Sequence, residues 1–242
     1  MSSRVRFALP AILVVVALIC ARLGIWQVHR LRQRRAANAA ALAARAEPVV
    51  DLSASGLPPA GALANRRVHA TGRYDRRHEI VLRGVTFDEA PGVQIVTPLV
   101  MASGRAVLVK RGFVPAPDAV SADLAGLDEP GLVTVSGLAL PLDSSGRRGS
   151  PLTHEGRTTW ARLDLPALRS ATPYPLLPVY LLQTPDPALP RRPRRVPAPA
   201  LDDGPHLSYA LQWFGFATTA LVVAGILAFR SPERSAAHPA DR

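Results

Sequence analysis

A chain of 242 residues with 29 basic and 18 acidic side chains carries a formal charge of +11. Its single cysteine, Cys20, excludes intrachain disulfides, CxxC redox chemistry and cysteine-built zinc sites. Only Lys110 is a lysine, and the arginines cluster beside apolar stretches instead of alternating with aromatics, so anionic lipid is expected as a partner and nucleic acid is not.

In chain order, the first element is Phe7 to Val28, whose only charge is Arg22. About 20 apolar helical residues cross a hydrocarbon core, so this stretch is a predicted transmembrane helix. Helices this long and apolar on every face are poor candidates for a soluble core. Arg4 and Arg6 give it the basic start of a signal peptide, but no small-x-small cleavage site precedes Arg22. In "ALIC", Ile19 is too bulky for a lipoprotein box. An uncleaved span is therefore expected.

Residues 29–46, "HRLRQRRAANAAALAARA", are good helix formers and should extend the first helix as far as Pro48. A connection, "SASGLPPAG", follows at 53–61. Short strand-like runs come next: "RVHATGRY", "EIVLRG", "VQIVTPLV", "RAVLVKRGFVP", "LVTVSGLAL" and "LPVYLLQ". In the fourth, Ala106, Leu108 and Lys110 should face one way and Val107, Val109 and Arg111 the other. "SGR" at 103–105 makes 93–113 a hairpin. "DLPALRS" reads as one short helix capped by Asp164, with Pro166 in its first turn. "PALPRRPRRVPAPALDDGP" reads as an extended return. Leu207 to Phe229 carries no charge and is the second predicted span.

The predicted organisation is a membrane protein with two transmembrane α-helices, 7–28 and 207–229, flanking a mainly β domain with one short helix, 29–206. Residues 1–6 and 230–242 are then on the same side. Which side is open from charge alone. Arg30, Arg32, Arg34 and Arg35 after the first span outnumber Arg4 and Arg6 before it, but the positive-inside rule weakens for loops longer than about 60 residues.

No catalytic constellation stands out, so no enzyme is expected. The six histidines, at 29, 69, 78, 154, 206 and 238, show no HExxH or other close ligand spacing. "HEI" at 78–80 would turn His78 and Glu79 to opposite faces of a strand. "GRRGS" and "SSG" read as turns.

The membrane edges carry more. At about 1.5 Å per residue, Arg22 lies roughly 9 Å below Val28 and Gln212 roughly 8 Å below Leu207, so the two could be partners at one depth. Trp26, His29 and Arg30 lie above them on the first helix, and His206, Tyr209 and Trp213 share one face of the second. Two readings stay open: an aromatic belt with snorkelling arginines, or a pocket for a flat amphiphile such as haem, with an imidazole ligand.

Three stretches resemble the SURF1 family of membrane proteins that assist assembly of haem-a cytochrome oxidase: "LGIWQVHRLRQRR" at 23–35, "PGVQIVTPLVMASGRAVLVKRGFVP" at 91–115 and "HLSYALQWF" at 206–214. "GRY" at 72–74 and "TTWARLDLPAL" at 158–168 fit in order. The aromatic-Lys pair that often follows the first signature is replaced by Gln33 and Arg34, and "LDSSGRRGSPLTHEGR" does not align. The resemblance implies an extracytoplasmic β domain, both termini cytoplasmic and, with no transit-like extension before the first span, a bacterial plasma membrane. It also implies a chaperone-like assembly factor of the respiratory chain that binds or protects haem a. Its expected partners are the oxidase catalytic subunit, the haem a synthesis machinery and membrane lipid. His206 is the expected iron ligand, Tyr209, Gln212 and Trp213 its pocket, and Trp26, Gln27 and Arg30 the residues facing it. A second ligand at His29 is conceivable, and Arg111 is either satisfied in its sheet or a partner contact. The alternative is a two-span envelope scaffold or interaction module without haem.

Overall fold

The computed structural model describes residues 3–145, 151–154 and 157–229. "GRRGS", His238 and the tail 230–242 lie outside the described residues. The chain forms two units, one within Met1–Asn38 and Leu201–Arg242, the other Ala39–Ala200.

The first unit is a helix pair. Helix α1, Ser3–Ala46, runs on past the apolar span as the Arg/Ala composition predicts. The last helix, α4, is His206–Phe229. Both are long and apolar enough to cross a membrane. Their seam is built from small side chains: Ala17 and Cys20 pack with Ala217 and Ala220, flanked by Ala21 and Trp213. Gly24 belongs to the same seam, because a Cβ there would lie 2.7 Å from the Phe214 ring. Small residues let helix backbones approach closely, which is how apolar helices gain contact when lipid is the competing solvent. The seam continues through polar contacts beyond the apolar stretch. Arg35 pairs with Asp203 at 2.8 Å, and Asn38 Nδ2 donates to the Asp202 carbonyl at 2.8 Å.

The second unit is β-rich. Its elements are β1 Val50–Asp51, α2 Ala60–Leu63, β2 Arg67–Tyr74, β3 Ile80–Phe87, β4 Ala90–Met101, β5 Ala106–Pro115, β6 Val133–Pro141, β7 Leu152–His154, β8 Arg157–Trp160, α3 Leu165–Ala171 and β9 Leu176–Leu182. The sheet order is β1-β2-β6-β9-β5-β4-β3-β8-β7, and an extra β2–β4 pairing closes β2, β6, β9, β5 and β4 into a small barrel. All six predicted runs are strands, and β4–β5 is the predicted antiparallel hairpin. Asp164 caps α3, accepting from the Ala167 amide at 3.2 Å. Two details differ from the expected single short helix and six strands. A one-turn helix, α2, forms within the Pro/Gly-rich connection, and β1, β7 and β8 are two to four residues long, too short to show a period.

Alternation along β5 separates two cores. Val107 and Val109 fill the cluster that holds Leu99, Val135 and Leu181, while Ala106 and Leu108 join Trp160, Leu165 and Leu168. Both faces of this strand are therefore buried, one inside the barrel and one beneath α3. The "TPL" stretch explains how β4 serves two neighbours. It pairs with β3 as far as Val96 and with β2 from Leu99 onward. Pro98, which has no N–H to give, falls in the gap between those ladders.

Candidate functional site

In the helix pair, two residues from opposite ends of the chain meet. His206 Nδ1 lies 2.9 Å from Gln27 Oε1. An amide oxygen only accepts, so Nδ1 carries the proton and donates, which leaves the lone pair on Nε2. Gln27 is 9% exposed, so this hydrogen bond is shielded from competing water. The backbone before α4 leaves room beside the other nitrogen. Gly204 sits at φ 64°, and a Cβ there would already be in contact with His206 Cδ2 at 3.6 Å and Nε2 at 3.8 Å. The imidazole is thus oriented through one nitrogen, while Nε2 makes no hydrogen bond among the described residues.

The other candidates are not all gathered here. Tyr209 is 48% exposed on the edge of the His206 face, its amide bonded to the Pro205 carbonyl at 3.1 Å. Trp213 turns into the seam and meets Phe216 edge-on at 5.8 Å. Gln212 is exposed and makes no hydrogen bond with Arg22, so the partnership expected from equal depth is not formed. Trp26 is 52% exposed, and Arg30 donates to Gln33 at 3.1 Å on its own helix. His29 is likewise exposed. At about 100° per residue, Arg22, Trp26, His29 and Arg30 fall on the side of α1 away from Gln27's neighbours in the seam. Depth alone placed them together; rotation separates them. Sequence reading also passed over the Arg34–Asp202 and Arg35–Asp203 pairs, at 3.8 and 2.8 Å, although "DD" just before α4 is a conspicuous acidic spot in so basic a chain.

The β unit holds a second polar cluster, around Arg111. The β4–β5 register shifts between Ile95 and Val96, which pair with Gly112 and Lys110, so Arg111 is the extra residue of a bulge. Its side chain is 1% exposed. Nη2 donates to Glu129 Oε1 at 2.6 Å and to the Leu127 carbonyl, Nη1 reaches Glu79 at 3.5 Å, and the guanidinium lies 4.8 Å from the Tyr74 ring centre. Thr97 Oγ1 donates to the same Glu79 oxygen at 2.7 Å. Glu129 also faces Arg195, 3.7 Å away, whose guanidinium burial pushes below its ordinary pKa against the pull of that carboxylate. Burial and the Glu129 charge together push the Tyr74 phenol up. Next in sequence, Gly112 has φ 153° and the Arg194 carbonyl lies 2.6 Å from where a Cβ would be. Phe113 and Arg194 exchange backbone hydrogen bonds at 2.7 and 2.8 Å. The Arg-Gly-Phe stretch is therefore a clasp: it holds the 127–129 segment and the proline-rich return to the barrel. Both terminal nitrogens of Arg111 are thus engaged within the fold, while its buried Nε has no hydrogen-bond partner among the described residues.

His78 and Glu79 do part company, but His78 ends a 3₁₀ turn, Arg76–His78, rather than lying in a strand. Its Nδ1 is 2.7 Å from Asp75 Oδ2, and Tyr174 donates to the same oxygen at 3.1 Å. Burial opposes the charge on Asp75, yet the bonds from His78, Tyr174 and the Arg77 amide hold its pKa below the usual value. A depressed carboxylate stabilises the fold above its unfolded pKa, near 4, and that contribution is lost as pH falls through the lower folded value. Asp75→Asn is accordingly expected to lower the thermal midpoint at pH 7, with the gap from wild type closing between about pH 4 and pH 2. A gap unchanged across that range in circular dichroism melts would contradict the assignment.

A family model described as the SURF1 family matches residues 14–218. Compared with curated proteins individually, the chain matches none.

Proposed function

Because this chain belongs to the SURF1 family, a family associated with cytochrome oxidase assembly, we propose that it is an oxidase assembly factor that takes haem a as cargo at the His206 end of α4. The observation that carries this is the Gln27–His206 hydrogen bond at 2.9 Å, which joins the first and last family signatures. His206 Nε2 is the iron ligand, Gln27 fixes its tautomer, and Gly204 keeps the approach clear. Tyr209 lies next to the ligand along α4. Trp26, Arg30 and Gln212 face elsewhere on their helices, and Trp213 lies two turns from His206 in the seam, so the proposal rests on His206 and Gln27. Haem iron bound there would be held by a neutral imidazole, and no bond of the cargo is made or broken; the protein acts by binding. The partners are the oxidase catalytic subunit and the source of haem a.

In this reading α1 and α4 span a bacterial plasma membrane, with both termini cytoplasmic and the β unit outside. A reporter fused after Pro115 is expected to be active if it works only in the periplasm and silent if it works only in the cytoplasm; the reverse would refute this topology. A deletion strain is expected to lose the a-type haem absorbance of its membranes while other cytochromes persist. Unchanged oxidase in that strain would end the assembly reading.

A further inference from the structure

Helix α1 shows two chemically opposite faces at the same level. One packs on α4 through Ala17, Cys20, Ala21 and Gly24 and ends in buried Gln27. The other is a groove of about 560 Å³ lined by Ile19, Arg22, Leu23, Ile25, Trp26 and His29. At about 100° per residue, the mean direction of that groove lies roughly opposite the seam. Its lining is bulky where the seam is small. Helices pack on helices through small residues, so a face of Ile, Leu and Trp suits acyl chains better than a second helix.

Arg22 sets the rest of the chemistry. It lies about 9 Å inside the end of the span, and it has no hydrogen bond or ion pair among the described residues, whereas Arg34 and Arg35 hold Asp202 and Asp203. An arginine at that depth needs an anionic partner or must reach the interface. His29 stands two turns farther along the same face, with Trp26 between them, so donors bracket a spot at headgroup level. A phosphodiester offers a pair of non-bridging oxygens that a guanidinium fork matches. We propose that this outer face of α1 binds one anionic phospholipid, its phosphate held by Arg22 and His29 and its acyl chains along Ile19, Leu23 and Ile25. The proposal rests on the reading of α1 as a membrane span, but not on haem.

The test uses the full chain. Alkaline carbonate extraction comes first: a chain left in the membrane pellet keeps the spanning reading, and release into the supernatant removes that reading and the lipid site with it. The protein is then purified into micelles containing equal phosphatidylglycerol and phosphatidylcholine, and retained lipid is read by native mass spectrometry. Wild type is expected to retain phosphatidylglycerol at least about fivefold over phosphatidylcholine, and Arg22→Leu to bring the ratio close to one. Arg22→Lys should keep part of the preference. Equal retention by the wild type, or an unchanged ratio in Arg22→Leu, overturns the proposal. If the wild type shows no preference while Arg22→Leu abolishes oxidase assembly in cells, the face belongs to an acidic partner helix instead.

Discussion

Arg111→Met is expected to lower the thermal midpoint of the detergent-solubilised chain by about 6–20 °C. The guanidinium is 1% exposed and serves Glu79, Glu129 and the Leu127 carbonyl at once. Methionine fills much of the volume but leaves two carboxylates and a carbonyl facing one another without their cation. Breaking a buried ion pair from one side costs about 3–5 kcal/mol, and for a unit of this size each kcal/mol moves the midpoint by roughly 2–4 °C. Adding Glu79→Gln to Arg111→Met should recover part of the loss, because Glu79 loses its cation whereas Glu129 still has Arg195 3.7 Å away. Far-UV circular dichroism melts of the single and double variants check this. A single variant within about 2 °C of wild type would mean that Arg111 is not the clasp and would reopen a role in partner contact.

The second large effect is expected at Gln27. Gln27→Leu leaves α1 apolar and helical but removes the acceptor for His206 Nδ1–H. The ring is then free to rotate and to place its proton on either nitrogen. Losing a hydrogen-bond partner of a metal-binding histidine typically weakens binding about 10–100-fold. Haem titrations of the detergent-solubilised variant should show a drop of that order, while Gln27→Glu, which keeps an acceptor, should bind at least as well as wild type. Equal affinity in Gln27→Leu would detach Gln27 from the site.

Much of this was legible in the sequence because it is local. Strand alternation in "AVLVK", the Asp164 cap with Pro166 behind it, and the continuation of α1 to Ala46 all depend on neighbours within a few residues. What the sequence hid is non-local. The pairing of Gly72, Arg73 and Tyr74 with Met101, Val100 and Leu99 closes the barrel, yet nothing in either segment names its partner. Arg111 reads as one more alternating residue until the register shift opposite Ile95 and Val96 shows it to be the bulge. At the helix ends, matching residues by depth grouped Arg22 with Gln212 and Trp26 with His206. The seam depends on rotation as well as rise, and it is set by Ala17, Gly24, Ala217 and Ala220, whose small size was the readable signal. His206 and Gln27 were both readable as candidates, but their direct hydrogen bond was not.

The most direct test of the account is a reduced-minus-oxidised spectrum of the purified chain, co-expressed with haem a synthesis, beside His206→Ala. The account predicts a haem a signal in the wild type that the substitution removes. No haem in either sample, or an equal signal in both, would contradict it and return the aromatic edge to a simple membrane anchor.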